Sequence, residues 1–455
     1  MHLAASTVGA ELRALIALGA PLILNSLFSI GVSLGDTMMA ARLGPTQLAG
    51  VALGNGLWIA AFLFGLGVVM ALGPTVAQHF GAGRHAEIGP DLRQGLWLAL
   101  AVAALVVAAL RHMDPVFALF GIAPEVAMLA QGYLDHLCWG VPAAFAYHAF
   151  KQLHEGIGRT VPVMVVMAVA LPVNVLLNYG FLFGRLGLPA LGAPGCGLGT
   201  GITFWLMLTL LAGHARRALD QRQFALWARF DWPDAAVMRR LVALGLPIGL
   251  SLLLQSGLFT VIALLIGRLG SAAVAAHQVA LNVCGLVFTV PAGLAMALAV
   301  RVGQAAGRGD ARAVRRIGTI GILLCGGCSG TAALVTWFLA APIVALYSQD
   351  PQVTAIALSL SPLAAALQFA DGVQVATAFA LRGLKDARVP LLLNAATYWG
   401  VGFTLAWLGA HRPAPAASDI WLGIVAALWV VAALLITRFA RLTARMLAET
   451  GASTG

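Results

Sequence analysis

The stretch Arg13-Ala-Leu-Ile-Ala-Leu-Gly-Ala-Pro21 recurs 226 residues later as Arg239-Arg-Leu-Val-Ala-Leu-Gly-Leu-Pro247. Arg, Leu, Ala, Leu, Gly and Pro keep their order and spacing. The same shift, without a gap, lays Arg42-Leu43-Gly44 on Arg268-Leu269-Gly270. It lays Gly67, Met70 and Ala71 on Gly293, Met296 and Ala297, and Gln78, Gly81 and Gly83 on Gln304, Gly307 and Gly309. After inserted residues, Gly156 and Val161-Pro162 match Gly383 and Val389-Pro390. Each copy opens on an apolar run long enough to cross a bilayer. The chain therefore reads as one membrane-spanning unit written twice.

Working outward from these two stretches, twelve apolar runs follow, with cores at 14–36, 48–74, 95–110, 127–149, 161–184, 195–213, 241–266, 274–300, 318–341, 355–380, 390–409 and 420–438. Prolines inside them, such as Pro172, Pro247, Pro291 and Pro362, are tolerable in lipid, where neighbouring helices satisfy the freed backbone groups. Six spans per copy is an even number, so the repeats are parallel and related by an axis along the membrane normal. This plan recurs in secondary transporters, with the substrate path between the halves. The expected organisation is an all-α membrane protein of twelve helices in two six-helix bundles: a lobe at 1–213, a cytoplasmic linker at 214–238 and a lobe at 239–455.

Composition agrees. Of the 455 residues, 60% are hydrophobic and 10% charged, and the mean hydropathy is +0.91. A soluble chain carries about 25% charge. Too little polar surface remains to coat a water-soluble globule, which excludes a soluble enzyme, a disordered scaffold and a secreted disulfide module. The net charge of +10 points to loops beside anionic lipid and away from nucleic acid. With the N-terminus in the cytoplasm, inside segments hold 22 Lys and Arg and outside segments hold 5, alternating over every loop. Both termini are expected in the cytoplasm, and the first run is too long for a cleaved signal peptide. The five cysteines sit in or beside apolar runs. Cys325-Gly-Gly-Cys328 lacks the βαβ context of a redox motif.

Chemistry should then sit where polar residues interrupt apolar runs, because a carboxylate there must be paired, protonated or solvated. Asp371 lies between Gln368 and Gln374 at spacings of three, so the three share a helical face. This stripe can bind a proton, Na⁺ or a cationic ligand, or it is a hydrogen-bonded seam between helices. Asp36 follows Ser29 and Ser33 on one face, and is either a coupling group or an interfacial acid at the end of its span. Asp135, with Gln131 and His136, reads as a solvated vestibule residue. Asn174 and Asn178 stand at i, i+4 after Pro172, and two amides on an apolar helix face the interior rather than lipid. They either support Asp36 or tie helices together. Ser251, Gln255 and Phe259 share a face; Gln255 cannot exchange a proton, so it fits substrate contact or helix contact. Gly197-Leu-Gly-Thr-Gly201 follows no strand and is no phosphate loop. No Walker motif, H-E-x-x-H or metal-ligand cluster is present, and nothing positive supports an enzyme.

These residues together resemble the multidrug and toxic compound extrusion (MATE) transporters, above all the NorM-like branch. The matching stretches include Gly35-Asp36-Thr37, Ala77-Gln78-His-Phe-Gly81, Pro172-Val-Asn174 with Asn178-Tyr179, Pro247-Ile-Gly249, Ala276-His277-Gln278-Val-Ala-Leu-Asn282, Pro291-Ala-Gly293, Val302-Gly303-Gln304, and Gln368-Phe-Ala-Asp371 with Leu381-Arg382-Gly383. The resemblance implies a V-shaped pair of bundles exporting organic cations by antiport with H⁺ or Na⁺. It implies cation coupling at Asp36, Asp371, Asn174 and Asn178. Gln255 departs from it, standing where NorM-like members carry a glutamate, which favours H⁺ over Na⁺. Gln255, Asp371, Gln368, Gln374 and Phe259 are the expected substrate contacts. The expected partners are a drug-like small molecule and membrane lipid, acting on a monomer with no cofactor or metal. The competing readings are a lipid-linked saccharide flippase of the same superfamily, whose cavity would need Arg and Lys that these spans lack, and a spanning enzyme acting on lipid or glycan.

Overall fold

A computed structural model describes residues 7–452 of the chain. Helices dominate it. The first half holds α1 (Val8–Ala41), α2 (Pro45–Val69), α3 (Leu72–Gly81), α4 (Ile88–Leu110), α5 (Asp114–Leu119), α6 (Pro124–Cys138), α7 (Val141–Gly156), α8 (Val161–Phe183), α9 (Ala193–Ala218) and the short α10 (Gln221–Phe224). The second half holds α11 (Ala235–Gly267), α12 (Ser271–Gly307), α13 (Ala311–Phe338), α14 (Ala340–Tyr347), α15 (Pro351–Gly383), α16 (Arg388–Ala395), α17 (Thr404–Ala410) and α18 (Ala417–Ala452). A π-helical segment, Ala396–Phe403, joins α16 to α17.

The repeat seen in the sequence is kept in the helix boundaries. Shifted by 226, the run Pro45–Gly81 becomes Ser271–Gly307, both 37 residues long. Gly44 and Gly270 occupy equivalent turns with φ of 107° and 102°, a region that a side chain would strain. Among the described residues, eleven helical runs are long and apolar enough to cross a membrane. The twelfth expected span, 127–149, is delivered as α6 and α7. Pro142 has no N–H to offer the Cys138 carbonyl, and the α-helical ladder breaks at Trp139 and Gly140. The protein is an all-α, multi-pass membrane protein. Leu105, Leu264, Leu323 and Leu392 are each more than 60% exposed, a surface that suits lipid and not water.

By packing, the chain separates into two compact units. One is Leu24–Gly249. The other joins the residues up to Ile23 with those from Leu250 onward. The break falls inside α1 and α11, a few residues from Pro21 and Pro247, whereas the sequence reading set its lobes apart at 214–238. Glycine contacts explain the difference. Within the second unit, α1 lies hard against α12: a Cβ on Gly19 would come 2.8 Å from a Leu294 methyl, and one on Gly293 would meet Ile23. Within the first, Gly245 of α11 lies against the Val68 carbonyl, and Gly67 of α2 lies against Gly249. These contacts are the same pair under the 226 shift.

The core of Leu24–Gly249 centres on Leu134, Leu137, Phe145 and Tyr133, all almost fully buried. That of the other unit centres on Leu298, Leu367, Leu381, Tyr398 and Trp421. A buried ion pair, Glu11 to Arg301 at 2.7 Å, adds to the packing of α1 against α12.

Candidate functional site

Two polar clusters sit among these apolar helices, one in each unit. In Leu24–Gly249, Pro172 opens the turn of α8 that carries Asn174 and Asn178. Both amides are fully buried. Asn178 Nδ2 donates to Asp36 Oδ1 at 2.5 Å and to Asn174 Oδ1 at 3.2 Å. Asn174 Nδ2 donates to the hydroxyls of Thr200 and Thr203 on α9 at 3.3 and 3.4 Å. Thr203 donates its own hydroxyl proton to the Gly199 carbonyl at 2.8 Å. The carboxyl of α1 is thus linked through α8 to α9 by an ordered chain of donors and acceptors. Gly199 is needed here: the Asn178 carbonyl oxygen occupies the space a Cβ would take. That same Oδ1 is buried without a hydrogen-bond partner.

Asp36, Asn174 and Asn178, which the sequence singles out, lie within hydrogen-bond reach of one another; Thr200 and Thr203 were not singled out. The signal was present in the glycine-rich stretch Gly197–Gly201, where small residues let α9 approach α8 closely. Asp135 is exposed and accepts from Gln131 at 2.9 Å, as a solvated residue would.

In the other unit, Asp371 of α15 is 8% exposed, and its Oδ1 has no hydrogen-bond partner. Gln368, one turn earlier, accepts from Thr336 of α13 at 3.1 Å and donates toward the Cys284 thiol of α12 at 3.7 Å. Gln374 is buried on the same face. Ser329 of α13 is pressed against Gly372, and its hydroxyl is also buried without a partner. Tyr398, in the π-helical segment, is buried and its hydroxyl is likewise unpartnered. Thr336, Ser329 and Tyr398 were not singled out from the sequence. Gln255 and Phe259 lie on a half-buried face of α11, and no hydrogen bond joins Gln255 to Asp371. Cys325 is buried and its thiol points to the Pro291 carbonyl at 3.8 Å; it and Cys328 are both free thiols. No group of three or more metal-ligating side chains forms among the described residues.

The first cluster therefore holds a carboxyl that accepts from a chain of amides and hydroxyls, and the second holds one with an oxygen that no side chain satisfies. Buried oxygens without partners are uncommon and call for a ligand, a water or a proton.

Comparison with known proteins places the chain. Residues 21–180 and 247–408 match the MatE family, one match per half. The chain is 39% identical over 447 residues to multidrug resistance protein PmpM of Pseudomonas aeruginosa, covering 97% of this chain and 94% of that protein. It is 37% identical over 437 residues to multidrug resistance protein MdtK of Yersinia pseudotuberculosis, covering 94% and 95%. Among solved structures, the fold matches the eukaryotic MATE transporter AtDTX14 with a TM-score of 0.85 at 19% identity, over 96% of this chain and 98% of that one. It matches the bent form of the Vibrio cholerae MATE transporter VcmN with a TM-score of 0.84 at 19% identity, over 96% and 98%.

Proposed function

Because the chain belongs to the MATE family of transporters, we propose that it exports amphipathic, cationic drug-like molecules across a bacterial inner membrane in exchange for protons. The observation that carries this reading is the chain from Asp36 through Asn178 and Asn174 to Thr200 and Thr203. An isolated carboxylate among apolar helices is expensive. Here an amide donor at 2.5 Å supports the ionised form. A flip of the Asn178 amide would present its Oδ1 to the neutral acid, so one side chain can serve both protonation states. The two states favour different packings of α1 against α8, and a proton gradient then biases the equilibrium between them.

Asp371 is the proposed counter-charge for the substrate, with Gln368, Gln374, Gln255 and Phe259 as neighbouring contacts. Its unpartnered oxygen supports that role, since a cation can satisfy it. Gln255 in place of an acid leaves one carboxylate and several amides in this unit. A Na⁺ site needs more anionic oxygen than that, which favours H⁺. The spans hold few basic residues to grip a lipid diphosphate, which disfavours a flippase. The working form is taken to be a monomer with both termini cytoplasmic. On that topology a cysteine placed at Ala118 reacts with an impermeant thiol reagent from outside the cell, and one at Arg222 does not.

Dye efflux from inverted vesicles under an imposed pH gradient or an imposed Na⁺ gradient tests the coupling. We expect transport to follow ΔpH and to survive without Na⁺. Transport that needs Na⁺ and ignores ΔpH would overturn the assignment.

A further inference from the structure

After α10 the chain turns back across the first turns of α4 and is fastened there. Arg93 reaches Asp231 with two nitrogens at 2.7 Å, and its Nη1 donates to the carbonyls of Ala225 and Leu226 at 2.7 and 3.1 Å. Gln94 donates to the Trp232 carbonyl and accepts from the Asp234 amide, both at 2.8 Å. Trp97 Nε1 donates to the Asp231 carbonyl at 2.9 Å. Gly89 lies directly on the Ala225 carbonyl. These bonds come from α4 side chains at i, i+1 and i+4, so they make a strap with a defined register.

Between strap and helix remains a cleft of about 480 Å³, the size of a small-molecule site. Leu92, Leu96, Trp97, Trp227 and Phe230 line it. Arg229 stands at its rim: Nε meets Asp231 Oδ1 at 2.7 Å while the side chain is 73% exposed. Leu100 and Ala104 continue the Leu96 stripe along α4, and both are exposed. The cleft therefore has a cation at one end and an apolar track leading into the span at the other. The strap's aromatic residues are exposed as well, Phe230 by 67% and Trp232 by 76%. Such rings favour the membrane–water interface. Six arginines between His214 and Arg240 add positive potential at this end of the unit.

We propose that this cleft binds one anionic phospholipid of the adjacent leaflet, its phosphate at Arg229 and an acyl chain along Leu96 and Leu100 between Trp97 and Trp227. A lipid fits better than a soluble anion because the track opens toward the bilayer. It fits better than a neutral lipid because Asp231 is already matched by Arg93, leaving the Arg229 charge in excess. Occupancy would brace the strap on α4. This inference does not depend on which ion drives transport.

Native mass spectrometry of the delipidated full-length protein in neutral detergent tests it, with phosphatidylglycerol and phosphatidylcholine of matched acyl chains as probes. One phosphatidylglycerol should be retained at roughly fivefold lower concentration than phosphatidylcholine, the share of a single arginine near a surface. Arg229→Gln should remove that preference and Arg229→Lys should restore most of it. Leu100→Glu should weaken both lipids, and Arg312→Gln, a basic change in the first turn of α13 in the other unit, should weaken neither. Circular dichroism and elution volume confirm that each variant is folded. Equal retention of the two lipids by the unaltered protein, or no change in Arg229→Gln, overturns the proposal. So does displacement of phosphatidylglycerol by inorganic phosphate at matched ionic strength, which would mark a free-anion site.

Discussion

In the first half, Asp36 ends a run of amides and hydroxyls in which each member is 2.5 to 3.4 Å from the next. In the second, Asp371 is buried with an oxygen that no protein group satisfies. The repeat does not relate these two acids. Under the 226 shift Asp36 falls on the buried Ile262. Under the shift of 228 that aligns Val161-Pro162 with Val389-Pro390, Asn174 and Asn178 fall on Gly402 and Ala406. Asp371 falls back on Ala144, by the shift that aligns Gly383 with Gly156. What is repeated is the set of helix boundaries and glycine contacts; what differs is where charge is placed on them. One further pair joins the two sets. Pro172 of α8 falls on Gly400 within the π-helical segment, so both halves leave the regular α-helical ladder at one place and put polar side chains there.

The largest effect that would break this contrast is expected at Asp36. Asp36→Asn keeps volume and removes titration, so gradient-driven export in vesicles should fall to the level of empty vesicles while ligand binding persists. Full pH-driven transport by this variant, with none by Asp371→Asn, would exchange the two roles. Next in size, Asp371→Asn should weaken a cationic substrate by about 2 kcal/mol, roughly thirtyfold in Kd, and a neutral analogue far less. Isothermal titration with a matched pair of ligands reads the difference; equal losses would make the site a structural seam.

Smaller effects sharpen the repeat itself. Gly19 and Gly245 are equivalent, but a Cβ on Gly19 meets a leucine methyl that can turn away, whereas on Gly245 it meets the Val68 carbonyl. Gly245→Ala should destabilise by about 1–3 kcal/mol, and Gly19→Ala by less than half of that, in thermal unfolding followed by fluorescence-detected size exclusion. The smallest effect concerns the strap. Hydrogen bonding from Arg93, helped by the Arg93 and Arg229 charges, holds the Asp231 carboxyl below the usual aspartate range. A lowered native value means that its contribution is complete at neutral pH and is lost only as pH falls through that lowered value. Tryptic cleavage after Arg229 should therefore be flat from pH 8 down to mildly acidic pH, as far as trypsin remains active, and should rise only a few-fold in Asp231→Asn.

Much of this molecule is legible in its residues because a bilayer demands long apolar runs and makes each polar interruption conspicuous. Asp36, Asn174, Asn178, Gln368 and Asp371 stand out on that ground alone. Thr200, Thr203, Thr336 and Ser329 do not, because hydroxyls are common in membrane helices and usually bond their own backbone, as Thr37 does to Ser33. Which of them turns outward to a neighbour depends on helix approach, and that depends on glycines such as Gly199 and Gly372. The break between α6 and α7 was readable from Gly140 and Pro142, yet an apolar run hides it. The division of α1 and α11 between two packing units was hidden too, because each helix runs on past Pro21 or Pro247 and its residues do not say which neighbour each side meets.

That division has a consequence for the order in which the protein can be made. Leu294, against which Gly19 packs, is synthesised 275 residues after it. At about 5–20 residues per second, the first half of α1 waits roughly 15 to 55 seconds for its partner. Its counterpart in α11 does not wait, since Val68 has been made long before Gly245 leaves the ribosome. During that interval Glu11 is a carboxylate whose cation, Arg301, does not yet exist. Two contacts that are alike in the finished molecule are therefore reached in opposite temporal order, and the nascent chain is most exposed to mispairing at its own beginning.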